Sequence, residues 1–491
     1  MVNDNKRMEL YDRLCSITGD DNITIDSAKL QEYSRDVSPF PAAMPGMVVT
    51  PTSTEIVSQI IKACNAAKTP VLPFGSAYSF TGLSNRKGSS TLVIDMRKMN
   101  RVIEIDEPTR TVRAEAGIIV GNLSDKVRER GYYLNTVAVP YYHDTLGGMI
   151  SGVVGGGYPL YSSSVGLNNR HIFGLRVVLP TGSIVETNGR GINNASARHI
   201  RAFMRETNSP DMTGIFVGDG GMFGVKTEAT MAMYPIPPFW ESGAKLFTSF
   251  EDAYQALFEA SSFSSRLQLC DYLTVLSPEI TEIYSPNMNS ISSKWSLVYY
   301  LHGFEENETR SRNSIAESIF CKHGGISGTD ALLEFSEGMR TGESYWKTSV
   351  YAETLIRRAS CAFFVGAPSF EDLFKELYSR LKERVKAANS SLSKTALTHS
   401  YVIHSVLQNC IWANIVLNYN SEETRSTANE IMRELYELAA EAGVTLEAHS
   451  GYAAKVMGAC WSDEFKSMVM AIKGALDPNN VVNPGLWFGE V

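Results

Sequence analysis

The sequence predicts an α+β protein of two domains, the second built on an antiparallel sheet. Three observations carry that prediction. Between positions 47 and 236, short apolar runs alternate with turns and with helical stretches. From Phe239 the pattern changes to longer amphipathic helices and aromatic-rich strand segments such as "SSKWSLVYYLHGF" and "CIWANIVLNY". From about 455 the chain returns to the character of its first part. The expected division is therefore 1–238, 239–454 and 455–491.

Each element has a local reason. "GDDNITIDSAKLQEYSRDVSPFPAAMPG" reads as a polar lead-in closed by a Pro-rich turn. "MVVTP", "TSTEIVSQIIKACNAA" and "TPVLPFG" form a β-α-β unit, its helix opened by Ser53 or Thr54 as cap. "STLVIDM", "RVIEID" and "TVRAEAG" are short strands, and "IIVGNLSDKVRERG" is a helix stopped at Gly131, where positive φ costs little. "FGLRVVLPTGSIVET" is a hairpin turning at Pro180–Thr181–Gly182, and "TEATMAMYPIPP" is a strand closed by prolines. "SEETRSTANEIMRELYELAAEAG" is an amphipathic helix with a cap at Ser421 and a stop at Gly443. "DEFKSMVMAIKGALDPNN" is a helix ended by Asp477–Pro478.

The 491 residues are 44% hydrophobic and 20% charged, as in ordinary globular proteins, with a net charge of -8 that disfavours nucleic acid as a partner. The polar start "MVNDNKRMELYDRL" and the lack of a long apolar run predict neither a signal peptide nor a membrane span. Seven scattered cysteines with no CxxC pair read as reduced thiols of a cytoplasmic protein.

Three segments give up side chains in a way that packing does not require. "PFGSAYSFTGLSN" follows a strand, and its Gly75, Ser76, Ala77 and Ser79 let backbone N–H groups converge on an anion. "TLGGMISGVVGGGYPLY" holds seven Gly or Ser between 147 and 157, so its backbone can lie against a flat ligand. "GIFVGDGGMFGVKTEATM" repeats that density. Neither a strand–GxGxxG–helix unit nor a GxxxxGK[ST] loop occurs.

These segments, with "VVTPTSTEIVSQIIKACNAAKTPVLPFGSAYSFTG", "TLVIDMRKMNRVIEID", "GLRVVLPTGSIVETNG" and "ALDPNNVVNPG", resemble the ordered landmarks of the FAD-linked oxidase superfamily. That superfamily includes vanillyl-alcohol oxidase, p-cresol methylhydroxylase and the glycolate/D-lactate dehydrogenases. The resemblance implies a two-subdomain FAD-binding domain of the p-cresol methylhydroxylase type plus an α+β cap. It implies FAD as cofactor, with the pyrophosphate on Phe74, Gly75, Ser76, Ala77, Tyr78 and Ser79 beside Thr81 and Gly82. Pro140, Thr145, Gly147, Gly148, Met149, Ser151, Gly152 and Gly156 would form a second wall. Gly224 and Val225 would form a third, with Asn483 brought in by the tail.

Departures from the family matter as much. Ala77–Tyr78 stands where many relatives carry a His that binds FAD covalently, so non-covalent FAD is expected, although His399, His404 or His449 could supply a bond from the cap. The metal set of lactate-type members is incomplete here: His404 is followed seven positions on by Ile411, and Glu447 and His449 in "LEAHSGY" are displaced. No metal is expected. The Gly-Tyr-Arg triplet of phenol-oxidising members reads Gly451–Tyr452–Ala453.

The expected function is a FAD-dependent oxidoreductase, oxidase or dehydrogenase, taking a hydride from a phenolic, benzylic or related alcohol. A 2-hydroxy-acid dehydrogenase and a catalytically silent flavin-binding protein are the alternatives. A base must accept the hydroxyl proton. His449 and Tyr452, three apart and on one face of any helix there, are the expected pair, with Tyr158 and Tyr161 as pocket walls. Lys347, Arg357 and Arg358 could hold a carboxylate, but isolated cations of this kind more often form a solvated face. The expected partner is a small-molecule substrate. The acceptor, oxygen or an electron carrier, stays open, and a homodimer is compatible with the sequence.

Overall fold

The computed structural model describes residues 4–36, 38–41, 43–77, 88–134, 143–152, 171–187, 205, 209–262, 269–284, 294–341, 357–366, 370–391, 397–406, 410–419, 422–446 and 451–488. The β-α-β unit is present as Met47–Val49, the helix Thr54–Ala67 and Val71–Phe74. Both strands pair in parallel with Leu92–Asp95, one on each side of it. The Ser53 hydroxyl accepts the Ile56 N–H at 3.3 Å and caps the helix.

The polar lead-in does more than its composition predicts. Its first part is a helix, Asp4–Thr18, with Leu10 and Leu14 buried against the Thr54–Ala67 helix. Ile23–Thr24 then adds an antiparallel edge strand beside Met47–Val49. The Tyr33 ring meets Phe74 at 4.9 Å between centroids, and its hydroxyl donates to Asp95 at 2.9 Å. The segment therefore backs the strand that leads into the first glycine loop.

A second, five-stranded sheet is wholly antiparallel, in the order Val102–Asp106, Thr111–Glu115, Val225–Ala232, Ile172–Val178, Ile184–Glu186. The hairpin joining its last two strands turns through Gly182 at φ 84°. The helix Val120–Arg128 is followed by Gly131 at φ 79°. One core forms from this sheet, the helices Val120–Arg128 and Leu146–Gly152, and Leu486 and Trp487 of the tail.

The cap sheet has eight strands. Their order is Ile326–Ser327, Phe239–Phe247, Trp295–Gly303, Tyr272–Leu276, Leu397–Val406, Cys410–Tyr419, Arg357–Gly366, Thr445–Leu446, with antiparallel pairing throughout. Alternation along Trp295–Gly303 shows its two faces. Trp295, Leu297, Tyr299 and Leu301 enter the core under the helices Phe250–Ser262, Glu306–Lys322, Phe370–Ser391 and Glu422–Glu441. Ser296, on the other face, bonds Thr281 of the helix Pro278–Tyr284 at 2.8 Å. Phe40 of the lead-in also enters the cap core, stacked on Tyr452 at 5.6 Å.

The C-terminal helix Asp463–Leu476 and the tail behind it lock onto the first part of the chain. Lys473 Nζ donates to the Met222 and Val482 carbonyls at 2.8 and 2.7 Å and pairs with Asp477 at 2.5 Å. Asp477, with no exposed side-chain surface, also accepts the N–H groups of Val481 and Val482. Val482 then forms a parallel bridge with Val71. Removing one partner of a buried pair leaves an uncompensated charge, so Asp477→Ala is expected to lower the unfolding free energy by about 3–5 kcal/mol, read from the urea midpoint and slope.

Candidate functional site

The first glycine segment leaves the sheet at Phe74, whose side chain packs behind it with Leu30, Val48, Leu72 and Val93. A Cβ on Gly75 would collide with Thr145 Oγ1, so glycine is what lets the first and second segments touch. Ser76 reaches across that contact and donates to Asp144 Oδ1 at 3.2 Å. Ala77 sits at φ 56°, a left-handed conformation that an L side chain adopts only under surrounding constraint. Backbone in that conformation helps turn N–H groups toward an anion.

The second segment is stitched from behind. Val120 N–H donates to the Asp144 carbonyl, Leu146 N–H to Ile118 and Gly147 N–H to Ala116, at 3.0, 2.9 and 2.7 Å. A Cβ on Gly147 would press on Ala116 at 3.0 Å, so this glycine serves the packing. Gly148 differs: it is exposed, its N–H bonds Thr145 Oγ1 at 3.3 Å, and a Cβ there would meet only that oxygen within 4 Å, at 3.0 Å. Met149 is buried, while Ser151 and Gly152 are half-buried.

The third segment is clamped to the second by two bonds, Gly218 N–H to Ile150 O and Gly220 N–H to Ser151 O, both 3.0 Å. Its curvature uses glycines at positive φ, Gly218, Gly220 and Gly221, around the Asp219 carboxylate. Asp219 accepts from Gly221 N–H, Phe223 N–H and Lys226 Nζ, the last at 2.6 Å in a pair almost wholly buried. Asn483 closes the arrangement, donating its side chain to Gly220 O at 2.7 Å and its N–H to Val71 O at 2.8 Å.

The three segments and the tail thus meet, bringing together Gly75, Ser76, Ala77, Thr145, Gly147, Gly148, Ser151 and Asn483. Gly224 and Val225 are packed into the strands. A Cβ on Gly224 would strike Val177 Cγ1 at 2.7 Å and Val178 O at 2.9 Å, and Val225 is fully buried in the core. Both serve strand packing, a role their place in a glycine-rich run conceals. Tyr78, Ser79, Thr81, Gly82, Pro140, Gly156, Tyr158, Tyr161, Lys347 and His449 lie outside the described residues. Backbone that makes close contacts without side chains, and a left-handed non-glycine residue beside them, fit the pyrophosphate of a dinucleotide such as FAD.

Tyr452 stands in the cap, near the start of the helix Gly451–Cys460. It is buried, with Phe40 and Tyr436 against its ring and the Arg433 guanidinium 4.3 Å from the ring centre. Its hydroxyl donates to Glu437 Oε1 at 2.7 Å. Burial, then that carboxylate, push the phenol up to about 12, with Arg433 pulling the other way. This is the setting of a phenol that keeps its proton. Glu437 and Arg433 were not singled out in the sequence because they read as ordinary positions of an amphipathic helix.

Known proteins align with this arrangement. Residues 45–188 match the FAD binding domain family, and residues 241–486, just over half of the chain, match the C-terminal domain of the FAD linked oxidases. The chain is 24% identical over 488 residues to the glycolate oxidase subunit GlcD of Bacillus subtilis, covering 98% of this chain and 97% of that one. It is 26% identical over 494 residues to the mitochondrial D-lactate dehydrogenase [cytochrome] of Arabidopsis thaliana, covering 97% and 79%. Among solved structures, 4-ethylphenol oxidase from Gulosibacter chungangensis superimposes with a TM-score of 0.81 at 18% identity, covering 99% of this chain and 98% of that chain. p-Cresol methylhydroxylase superimposes at 0.78 and 18%, covering 99% and 97%. The fold is that of the p-cresol methylhydroxylase-type oxidases.

Gly148→Leu places a branched side chain on the exposed face of the second segment. Purified variant is expected to retain little FAD while keeping parental secondary structure, read by flavin absorbance against circular dichroism.

Proposed function

The chain belongs to the FAD-linked oxidases and is a FAD-dependent oxidoreductase, and from that premise we propose that it removes a hydride from the carbon of a small alcohol. The observation that carries this reading is the meeting of the three glycine segments and the tail, with residues 1–238 and 455–491 as the cofactor domain and 239–454 as the substrate cap. Bound FAD supplies the hydride acceptor. The protein's part is to bind, orient and handle a proton. Gly75, Ser76, Ala77, Thr145 and Gly148 hold the dinucleotide, and Phe74 anchors the first segment to the sheet behind it. His449, three residues ahead of Tyr452, takes the hydroxyl proton. Tyr452 keeps the start of its helix seated on Phe40 and Glu437. Tyr158 and Tyr161 flank the substrate.

Benzylic and phenolic alcohols are the first substrate class, supported by the Gly451–Tyr452 pair. In the arrangement observed, however, the Tyr452 proton already goes to Glu437. 2-Hydroxy acids are the second class, and a specific observation favours them: the glycolate and D-lactate relatives align over nearly the whole chain. The absence of CxxC pairs and of disulfides among the described cysteines supports a cytoplasmic setting. Among the described residues, no helix is long and apolar enough to cross a membrane.

Anaerobic addition of hydroxy acids, benzylic alcohols and sugars to the purified protein is expected to bleach the visible flavin band with a member of one class. Bleaching by none would favour a silent flavin-binding protein. With that substrate, His449→Gln is expected to slow single-turnover reduction by about 10²–10⁴-fold at parental FAD content. Tyr452→Phe is expected to leave the rate unchanged, and a comparable loss there would return the base to Tyr452. Because Ala77–Tyr78 replaces the covalent His, FAD is expected in the supernatant after acid precipitation; a yellow pellet would mean a covalent bond from the cap.

A further inference from the structure

Between Gly214 and Gly224 the third segment carries a single charged residue, Asp219, and its side chain has no exposed surface. A carboxylate has a local use there. It accepts Gly221 N–H at 2.9 Å and Phe223 N–H at 3.3 Å, a side-chain turn that holds Gly218, Gly220 and Gly221 at positive φ. The turn touches every other part of the cofactor seam. Gly218 and Gly220 donate to Ile150 and Ser151 of the second segment, and Asn483 of the tail donates to Gly220 O. A Cβ on Gly221 would lie 3.8 Å from Cγ of Pro73, in the first segment.

The same carboxylate is a liability in a seam that receives an anion. We propose that Lys226 is its counter-charge: by neutralising Asp219 it lets a carboxylate shape the third segment without repelling the FAD pyrophosphate, and so sets FAD affinity. The proposal rests on the cofactor reading above. Lys226 Nζ donates to Asp219 Oδ1 at 2.6 Å, and its side chain is 3% exposed. It comes from the strand Val225–Ala232, which carries an extra residue, Thr227, against Val177 and Arg176 of the neighbouring strand. A bulge of this kind re-aims side chains. Here Lys226 goes to the turn, while Glu228 pairs with Arg113 and Arg176 on the sheet. Asp219 also acts through space on the Lys473 ammonium of the C-terminal latch. The two lysines and two aspartates of this cluster sum to zero charge.

The sign follows from the charges. Without Lys226, Asp219 keeps a negative charge that repels the pyrophosphate. Without Asp219, Lys226 keeps a positive charge that attracts it. At a separation of about 10 Å and an effective dielectric constant of about 20, one unit charge changes Kd by about tenfold. A pair that only braced the fold would lose binding on either change, because each leaves a buried charge unpaired.

The test dilutes holoprotein at neutral pH and fixed ionic strength and reads released flavin by its fluorescence, with circular dichroism to check folding. Lys226→Met is expected to weaken the FAD Kd by about tenfold. Asp219→Asn, whose amide oxygen still accepts from the turn, is expected to bind at least as tightly as the parent. The double variant Asp219→Asn/Lys226→Met is expected to return to within about threefold of the parent, as removal of both partners of a buried pair allows. Equal losses in the two single variants, a parental Kd for Lys226→Met, or a double variant as weak as Lys226→Met would overturn the proposal and leave the cofactor reading intact. A parent that holds no FAD would overturn both. Should Lys226→Met fail to fold, Asp219→Asn is compared with the double variant, from which it differs by the ammonium alone: binding about tenfold tighter supports the proposal, and equal Kd values overturn it.

Discussion

The arrangement depends on the latch that Lys473 and Asp477 make at the C-terminal end. A buried ammonium is tolerable only if every donor has an acceptor, and Lys473 finds Asp477, Met222 O and Val482 O. Those acceptors belong to the third glycine segment and to the tail, so satisfying one charge brings together parts of the chain about 250 residues apart. Burial holds the Lys473 ammonium below the ordinary lysine range, while Asp477 pulls it back. The directional bonds, more than the net energy of the pair, specify where the tail lies.

From that latch the other contacts follow. Val482 bridges to Val71, which places Asn483 over Gly220 and beside the strand that ends in the first glycine segment. The Asp219–Lys226 pair keeps the third segment curved, so its N–H groups reach the second segment at Ile150 and Ser151. A surface without side chains would be floppy by itself, because glycine loses more freedom on ordering than any other residue. Here the ordering is imposed by two buried ion pairs and by bonds to neighbouring sheet edges. The seam can then present a preformed surface to a ligand, which lowers the ordering cost of binding.

The lead-in ties the two halves of the molecule. Tyr33 braces Phe74 behind the first segment, while Phe40 fills the cap core against Tyr452 and Tyr436. Arg425 of the cap donates to Ser38 O at 3.1 Å, so the stretch between the two aromatics is held as well. The cap helices therefore take their seat partly on a segment that lies outside both family-matched regions.

Much of this was legible in the residues alone. The β-α-β unit, the hairpin at Gly182 and the glycine stops at 131 and 443 are written in local preferences, because φ restrictions and hydrophobic period act within a few positions. The ordered landmarks likewise identified the cofactor, since what a dinucleotide demands is a local absence of side chains. What the sequence could not reveal is direction. Gly224 reads like Gly148, yet one abuts Val177 and the Val178 backbone, while the other is exposed and meets only the Thr145 hydroxyl. Tyr452 reads as a base, yet its hydroxyl finds Glu437 on a neighbouring helix. Burial and partner choice depend on residues that tertiary packing brings together across long separations, and no local pattern encodes them.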